Sequence, residues 1–423
     1  MKDGKTRTLT PSLRFPAFRG KPGWREKPLG EILAPTVRER KKPATVYTGL
    51  GVRSHGNGTF LKELAQPDKT SMEVLYEVEP DDLIVNITFA WEGAIAIAKP
   101  VDAGALVSHR FPTYLLNRDA ALPEFFRYRI LDKRFVYNLG VISPGGAGRN
   151  RVLNKTDFLK LELAVPEVAE QHKIADCLKS LDELIAAHAR KLEALRAHKK
   201  GLLQRLFPRE GETLPHLRFP EFRDATEWEI SPFDKFVLRS FYGTSNATSA
   251  KGQYPVLRMG NMVDGGLDLS NLVYIDLDRE SFEDIRLKRG DILLNRTNSL
   301  DLVGKISVFA LDTECITASY IVTYRLDPAR IDPRFCNILL NTPQYQTKIK
   351  ALAHPSVSQA NINPTTFRNE LVVSVPSPAE QQRVSGCLSS INDSIVAQIQ
   401  RVSALKTHKK SLMQQLFPSS AEG

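Results

Sequence analysis

In two stretches of the chain, residues 174–206 and 384–416, mostly apolar residues recur at alternating spacings of four and three. We call each such row of positions a seam. Eight of the ten seam positions are apolar in each stretch, and the polar exceptions fall at the same two places. A seam that persists over four or more heptads is typical of a coiled coil rather than of a surface helix. We therefore predict two helices of roughly 60 Å each, paired antiparallel within the chain and related by a pseudo-two-fold axis.

The boundaries of both helices are marked in the sequence. Ser377-Pro378-Ala379-Glu380 predicts a capping box, with Ser at the N-cap and Pro in the first turn. In the first copy Glu167 takes the cap position, and Glu170 still favours the positive end of the helix. Phe207-Pro208 and Phe417-Pro418 end the helices, because the residue before proline is pushed out of the α region.

The middle polar positions of the two seams are His188 and Gln398. Antiparallel pairing predicts that they meet as a polar lock on the helix register. The alternative is that both side chains face solvent or a partner subunit.

The seam helices belong to a tandem duplication. Leu13–Arg19 returns as Leu217–Arg223 with an offset of 204 residues, and 165–208 returns as 375–418 with an offset of 210. Between these matched ends the copies diverge strongly. Such a pattern indicates constant assembly elements around variable recognition surfaces, and neutral drift after an old duplication is the alternative.

Short runs rich in Val, Ile and Leu occur in both variable regions, bounded by polar turns, and predict strands at 82–87, 94–98, 291–294 and 303–309. We predict mixed α/β domains on this basis. The expected organisation is a first variable domain, a seam helix, a second variable domain and a second seam helix with a tail, over residues 1–165, 166–208, 209–375 and 376–423 respectively.

The formal net charge of +10 and the isoelectric point near 9.3 favour a polyanionic partner such as nucleic acid. Charge alone is weak support, since many basic proteins bind no nucleic acid. No apolar run approaches the roughly 18 residues of a membrane span, and the first residues lack a signal-peptide pattern. We therefore expect a cytoplasmic protein with no membrane contact.

The four cysteines are widely separated and lack a C-x-x-C pair or a nearby histidine at metal-ligand spacing. They are Cys177, Cys315, Cys336 and Cys387. We interpret them as reduced thiols and expect no metal site.

One motif occurs twice, each time at the end of a variable region and the start of a seam helix. Its copies are Pro166-x-x-x-Glu170-Gln171-x-x-Ile174 and Pro376-x-x-x-Glu380-Gln381-x-x-Val384. In this doubled arrangement the chain resembles the specificity subunits of Type I restriction-modification enzymes over essentially its whole length. Gly243-Thr244-Ser245 followed by 254–258 also resembles the opening of a variable domain in that family.

The resemblance implies that each variable region is a target recognition domain that reads one half of a bipartite, asymmetric site in double-stranded DNA, with the helices setting the gap. It also implies two modification subunits, which use S-adenosylmethionine to methylate adenine. Two restriction subunits, which use ATP and Mg²⁺, complete the implied enzyme. None of these cofactors is expected to bind this chain.

Catalytic motifs are absent from the sequence. An adenine methyltransferase needs an N/D-P-P-Y/F motif, and Asn363-Pro364-Thr365-Thr366 is the nearest segment. No segment supplies the G-x-x-x-x-G-K-[ST] loop that binds nucleotide phosphates. Asp68-Lys69 and Asp81-Asp82 lack the further acid and lysine that metal-dependent cleavage requires. We therefore expect a non-catalytic chain with no catalytic residue.

Polar and basic clusters at predicted strand ends are the candidates for DNA contact, because Arg, Lys, Asn, Gln, Ser and Thr recognise base edges and phosphates. In the first domain they are Arg38, Arg40, Lys41, Lys42, Arg53, His55, Asn57, Arg149, Asn150 and Arg151. In the second they are Thr244, Ser245, Asn295, Arg296, Thr297, Asn298, Ser299, Ser358, Gln359 and Asn361. The stretch from Asn295 to Ser299 is the strongest single candidate.

Three other functions remain open at this stage. A single-chain restriction-modification enzyme would need the missing motifs. A coiled-coil scaffold would leave two divergent domains without a purpose. A stand-alone nucleic-acid-binding protein is the hardest to exclude, and co-purification with a methyltransferase subunit separates it from a specificity subunit.

Overall fold

The computed structural model describes residues 8–145, 151–355 and 359–418. The chain divides into two units of similar size. Unit 1 comprises residues 1–188 and 401–423, and unit 2 comprises 189–400. Each unit therefore combines one variable region with parts of both predicted seam helices.

The strands before the first seam helix are β1 (Thr8–Leu9), β2 (Trp24–Pro28), β3 (Leu33–Thr36), β4 (Glu39–Lys41), β5 (Tyr47–Val52), β6 (Thr59–Ala65), β7 (Val74–Glu77), β8 (Leu83–Val85), β9 (Ile95–Ile97), β10 (Leu106–Val107), β11 (Thr113–Leu116) and β12 (Glu162–Val165). The helices of this part are α1 (Leu29–Ile32), α2 (Pro123–Arg129), α3 (Lys133–Val141), α4 (Lys155–Lys160) and the seam helix α5 (Val168–Leu206).

The later strands are β13 (Glu229–Pro232), β14 (Val237–Tyr242), β15 (Tyr254–Leu257), β16 (Met262–Val263), β17 (Gly266–Leu267), β18 (Val273–Ile275), β19 (Ile292–Asn295), β20 (Thr297–Asn298), β21 (Ile306–Val308), β22 (Ile316–Thr317), β23 (Ile321–Leu326), β24 (Ala353–Pro355), β25 (Ala360–Ile362) and β26 (Val372–Val375). The later helices are α6 (Arg279–Ile285), α7 (Pro333–Leu340), α8 (Pro343–Ala351), α9 (Pro364–Glu370) and the seam helix α10 (Pro378–Leu416).

Both units contain a four-stranded antiparallel sheet with the same order of elements. The order is β3-β11-β8-β9 in unit 1 and β14-β23-β19-β21 in unit 2. A second sheet in each unit contains one parallel pair, β5 with β10 and β15 with β22. The two divergent regions therefore share one scaffold, and the mixed α/β prediction is confirmed.

The four strands predicted from the sequence are confirmed. Strands β8, β9, β19 and β21 lie inside the predicted runs or within one residue of them. The apolar side chains of β8, β9 and β19 are buried because both faces of these strands are covered, as their continuous hydrophobic runs indicate. In β21, Ile306 is buried and Val308 is half-buried.

The seam helices are confirmed as well. Helices α5 and α10 each contain 39 residues, and every seam position is buried or half-buried. In unit 1 the Lys409 ammonium contacts the Asp182 carboxylate at 2.6 Å, and in unit 2 Lys199 donates to Asn392 Oδ1 at 3.0 Å. Within each unit α5 and α10 therefore pack together and run in opposite directions.

The start of α10 follows the prediction only in part. The Glu380 N–H donates to Ser377 Oγ at 3.4 Å, which confirms the serine cap. The Glu380 carboxylate does not complete a capping box, because it accepts hydrogen bonds from Arg218 Nε and Nη2 at 2.8 and 2.7 Å. Glu170 at the start of α5 accepts the same pair of bonds from Arg14.

The glutamine that follows each of these glutamates joins the seam helix to its domain. Gln171 accepts from the Leu122 N–H at 2.9 Å and donates to the Ala120 carbonyl at 2.8 Å. Gln381 makes the same bonds to the Asp332 N–H and the Arg330 carbonyl, at 2.7 and 3.0 Å. Both glutamines are fully buried. The Glu-Gln pair of the repeated motif is thus a joint that fixes where each helix leaves its domain.

Three aromatic rings close the core at the same place in each unit, where the end of a seam helix meets a strand and a short helix. They are Trp24, Phe125 and Phe417 in unit 1, and Trp228, Phe335 and Phe207 in unit 2. Their centroids lie 5.7 to 6.1 Å apart, the range of favourable edge and tilted contacts. The phenylalanine of each helix-ending Phe-Pro pair therefore anchors its helix in a domain core.

Candidate nucleic-acid interface

The sheet β20-β25-β24 brings two of the predicted DNA-contacting segments of unit 2 together. Strand β20 pairs with β25 in the register Thr297 to Asn361. Arg296 Nε donates to Asn361 Oδ1 at 3.0 Å, and the Thr297 hydroxyl lies 3.4 Å from the same oxygen. The Arg296 guanidinium also lies 5.5 Å from the centre of the Tyr242 ring. We call these four residues the Arg296 cluster.

Asn295, at the start of the same polar stretch, is not available to DNA. Its side chain is 0% exposed, and its Nδ2 donates to the Leu302 carbonyl at 3.4 Å. Asn86, the matching residue of unit 1, is also buried, and its Oδ1 accepts from the Thr88 N–H at 3.2 Å. This burial argues against a direct contact between the Asn295 side chain and DNA, because both asparagines belong to the buried scaffold at the end of a central strand.

Other predicted residues of unit 2 lie around the Arg296 cluster or on a nearby loop. Asn298 is half-buried and donates to the Met259 sulfur at 3.2 Å, and Ser299 is exposed. The Thr244 N–H donates to the Thr317 carbonyl at 2.8 Å, and Ser245 beside it is exposed. Gln359 is exposed one residue before β25. Ser358 lies outside the described residues.

In unit 1 the predicted residues Arg53, His55 and Asn57 form the turn between β5 and β6. Arg53 donates to the Thr59 carbonyl at 2.8 Å and lies 4.8 Å from the centre of the Phe60 ring. Asn57 donates to the Ser54 carbonyl at 2.9 Å, whereas the His55 side chain is exposed. The turn presents polar groups to solvent, but two of its three candidates hold the turn itself together.

Arg151 also has a structural contact set. It donates to the Gly140 and Ser143 carbonyls at 2.7 and 3.1 Å, at the end of α3, and lies 5.3 Å from the centre of the Trp91 ring. Arg149 and Asn150, which precede it, lie outside the described residues.

The basic run around β4 is largely paired with acids. Arg38 holds the fully buried Asp82 carboxylate with both Nη groups, at 2.6 and 3.1 Å, and this bonding raises the pKa of Arg38. In unit 2 Arg325 also holds a buried carboxylate at two points, donating from Nε and Nη2 to Asp291 at 2.9 and 2.7 Å. We therefore reassign Arg38 from DNA contact to the scaffold, because both of its Nη groups already donate to Asp82.

The remaining members of this run hold no fully buried carboxylate. Arg40 is exposed and pairs with Glu77 at 2.6 Å. Lys42 lies 3.4 Å from Glu73, and Lys41 is exposed on β4. Exposed ion pairs of this kind are weak and exchange readily for a phosphate.

The two predicted register residues are both removed from bulk water, His188 half-buried and Gln398 buried. Their mutual contact stays a prediction.

The cysteines are free thiols, and burial raises the pKa of Cys315 to about 12.

Sequence reasoning missed three side chains at these surfaces: Thr88 and Arg110 in unit 1 and Tyr242 in unit 2. The sequence does carry one usable signal: residues 82–86 are similar to residues 291–295, and this alignment also places Thr88 opposite Thr297. Nothing in the local sequence marks Arg110 or Tyr242, which the fold brings in from other strands.

Across the described part of the chain, no group of three or more His, Cys, Asp or Glu side chains is placed to hold a metal ion. Within the same residues, no helix is long and apolar enough to span a bilayer.

The sequence is similar to that of known specificity proteins. Residues 73–197 match the family described as Type I restriction modification DNA specificity domain. The chain is 27% identical over 195 residues to the putative type I restriction enzyme MjaX specificity subunit of Methanocaldococcus jannaschii, a match that covers 45% of each chain. It is 22% identical over 271 residues to the MjaVIII specificity subunit of the same organism, covering 63% of each. The matches span less than two thirds of either relative.

The fold is similar over a longer range. The Type-I restriction-modification system S subunit from M. genitalium superimposes with a TM-score of 0.56 at 14% identity, covering 98% of this chain and 100% of that one. Residues 73–197 are therefore similar to the Type I restriction modification DNA specificity domain, and the chain is similar in sequence and fold to Type I specificity subunits.

Proposed function

We propose that this chain is the DNA-recognition subunit of a Type I restriction-modification enzyme and carries out no catalysis itself. In this proposal residues 1–165 and 209–375 are two target recognition domains, each reading one half of a bipartite site. The segments 166–208 and 376–423 are the helices that set the gap between the halves.

The observation that carries the proposal is the repetition of one strand order in two units whose exposed side chains differ. The central strands β8 and β19 occupy the same place in their sheets. After the matching asparagines at 86 and 295, however, the sequence is Ile-Thr-Phe in one unit and Arg-Thr-Asn in the other. A shared scaffold with unlike surfaces is what reading two different half-sites requires, because bases are distinguished by donor and acceptor patterns.

The proposed partners follow from the relatives and from the charge. Double-stranded DNA suits a chain with a net charge of +10, since neutralising phosphates supplies much of the affinity of DNA-binding proteins. Two modification subunits with S-adenosylmethionine would methylate adenine in the recognised site. Two restriction subunits with ATP and Mg²⁺ would complete the enzyme.

The test is to co-express the full chain with a modification subunit and to map methylated adenines across the host genome. We expect a bipartite motif with two unlike halves. Exchanging residues 230–365 for those of another family member should change one half and leave the other intact, and exchanging residues 30–155 is the matched control for the opposite half. A change in both halves would overturn the assignment of independent readers. DNA binding without any association with the modification subunit would favour a stand-alone binder.

A further inference from the structure

Three chain segments cross immediately after the central strand of unit 1. The Ile87 N–H donates to the Arg110 carbonyl at 3.0 Å, and the Leu153 N–H donates to the Ile87 carbonyl at 2.9 Å. Ile87 is therefore held between the segment after β10 and the segment before α4.

Unit 2 contains the same crossing. The Arg296 N–H donates to the Tyr320 carbonyl at 3.1 Å, and the Ile362 N–H donates to the Arg296 carbonyl at 2.8 Å. Strands β8 and β19 hold the same place in the four-stranded sheets, so Arg296 occupies the place of Ile87. Strands β10 and β22 also correspond, because each forms the parallel pair of the second sheet, with β5 and with β15. By the same correspondence, Tyr320 occupies the place of Arg110.

The arginine occupies a different one of these two places in each unit. Ile87 is buried, whereas Arg110 is exposed. In unit 2 the cation is the half-buried Arg296, and the other place holds the half-buried Tyr320, whose pKa is raised by burial. Each crossing thus presents one arginine, but from a different segment: Arg110 lies between β10 and β11, and Arg296 lies between β19 and β20.

A threonine accompanies the arginine in both units. Arg110 Nη1 lies 3.4 Å from the Thr88 hydroxyl, a long contact that leaves most of the guanidinium donors to solvent. In unit 2, Arg296 and Thr297 share Asn361 Oδ1. A planar guanidinium with free donors matches the O6 and N7 acceptors of guanine, the commonest specific contact in the major groove.

We propose that Arg110, supported by Thr88, is a specificity-determining residue of unit 1 and the counterpart of Arg296 in unit 2, each arginine contacting a base edge in its own half-site. The inference rests on the proposed function. Because the two guanidinium groups extend from different segments of the shared scaffold, they contact the groove at different positions. The same fold therefore reads two unlike half-sites without any change in strand order.

The experiment uses the full chain with its modification subunit and selects bound duplexes from a randomised library at several salt concentrations. Arg110→Ala should lower discrimination at one base position of one half-site by about 5- to 150-fold. Arg296→Ala should do so at one position of the other half. Arg110→Lys should keep overall affinity but lose discrimination, since lysine is a point charge without the planar fork.

Arg118→Ala is the matched control. Arg118 is also an exposed arginine of unit 1, and it pairs with Asp81 at 2.6 Å. Asp81 precedes β8, whereas Ile87 follows it, so Arg118 lies at the opposite end of that strand. The Arg118 variant should keep the selected sequence unchanged.

Two outcomes would overturn the inference while leaving the proposed function intact. One is a uniform loss of affinity across all sequences with a smaller salt dependence in the Arg110 variant, which would assign a phosphate contact. The other is an Arg110→Ala chain that selects the wild-type sequence with wild-type strength. If the wild-type complex itself selects no bipartite sequence, the proposed function fails instead.

Discussion

Arg14 and Glu170 form a buried bidentate salt bridge, in which Arg14 Nε donates to Glu170 Oε1 at 2.8 Å and Arg14 Nη2 donates to Glu170 Oε2 at 2.7 Å. Arg218 and Glu380 repeat both bonds in unit 2. Arg14 also donates to the Lys21 carbonyl at 2.7 Å, and its bonding to Glu170 raises its pKa. The pair ties the repeated Leu-Arg-Phe-Pro segment to the first turn of a seam helix, so the two ends of each copy form one joint.

The first prediction concerns this joint. Glu170→Ala should lower the free energy of unfolding of the chain by about 3 kcal/mol, because it leaves the largely buried Arg14 charge without a partner. Urea denaturation followed by circular dichroism measures the change. Glu183→Ala is the control on the same helix, since Glu183 is exposed and lies 3.9 Å from Lys179, and it should cost less than about 0.5 kcal/mol. Equal losses in both variants would contradict a structural role for the buried pair.

The second prediction concerns the helix pair. Asp182 faces Lys409 in unit 1, and the matching residues in unit 2 are Asn392 and Lys199. Asn392→Asp should create the missing ion pair and raise the free energy of unfolding by up to about 0.5 kcal/mol at low salt. The gain should shrink in 1 M salt, because exposed charges are then screened. It should also vanish in combination with Lys199→Ala, and a gain that persists there would sink the explanation.

The third prediction concerns Gly243, in the motif that opens the second variable domain. A Cβ at this position would lie 1.8 Å from the Thr317 carbonyl oxygen. Gly243→Ala should therefore separate the 243–245 segment from β22 and lower the melting temperature, at a cost of about 1–3 kcal/mol. Gly260→Ala is the control, since nothing lies within 4 Å of a Cβ built there. Calorimetry that finds the two variants equally stable would contradict the close approach.

The fourth prediction concerns the proposed spacer. Adding one heptad to both seam helices, after residues 190 and 400, lengthens each by about 10 Å while preserving the seams. The gap of the recognised site should grow by about three base pairs at 3.4 Å per pair, with both half-sites unchanged. Methylome mapping of cells that carry this variant reads out the gap. An unaltered gap would show that the helices do not set it.

The sequence by itself determined the seam helices, their ends and the duplication. These features depend on residues close together in the chain: the four-three spacing of apolar residues selects the helix, Ser377 caps it and the Phe-Pro pairs end it. The strands followed from equally local runs, and the repeat needed only a comparison of the chain with itself. The similarity of residues 82–86 to residues 291–295 likewise aligns Asn86 with Asn295.

Only the tertiary structure decided which polar residues are exposed. Asn295 and Arg296 are neighbours in one polar stretch, yet the first is buried under a strand end while the second is half-exposed and lies against Tyr242. Arg110 contacts Thr88 because β11, which follows Arg110, pairs with β8, which precedes Thr88. Arg14 likewise contacts Glu170, which is 156 residues away in the chain. The burial of a side chain and its pairing with a distant residue both depend on which segments from elsewhere in the chain pack against it. The residue types of the neighbouring sequence do not specify those segments.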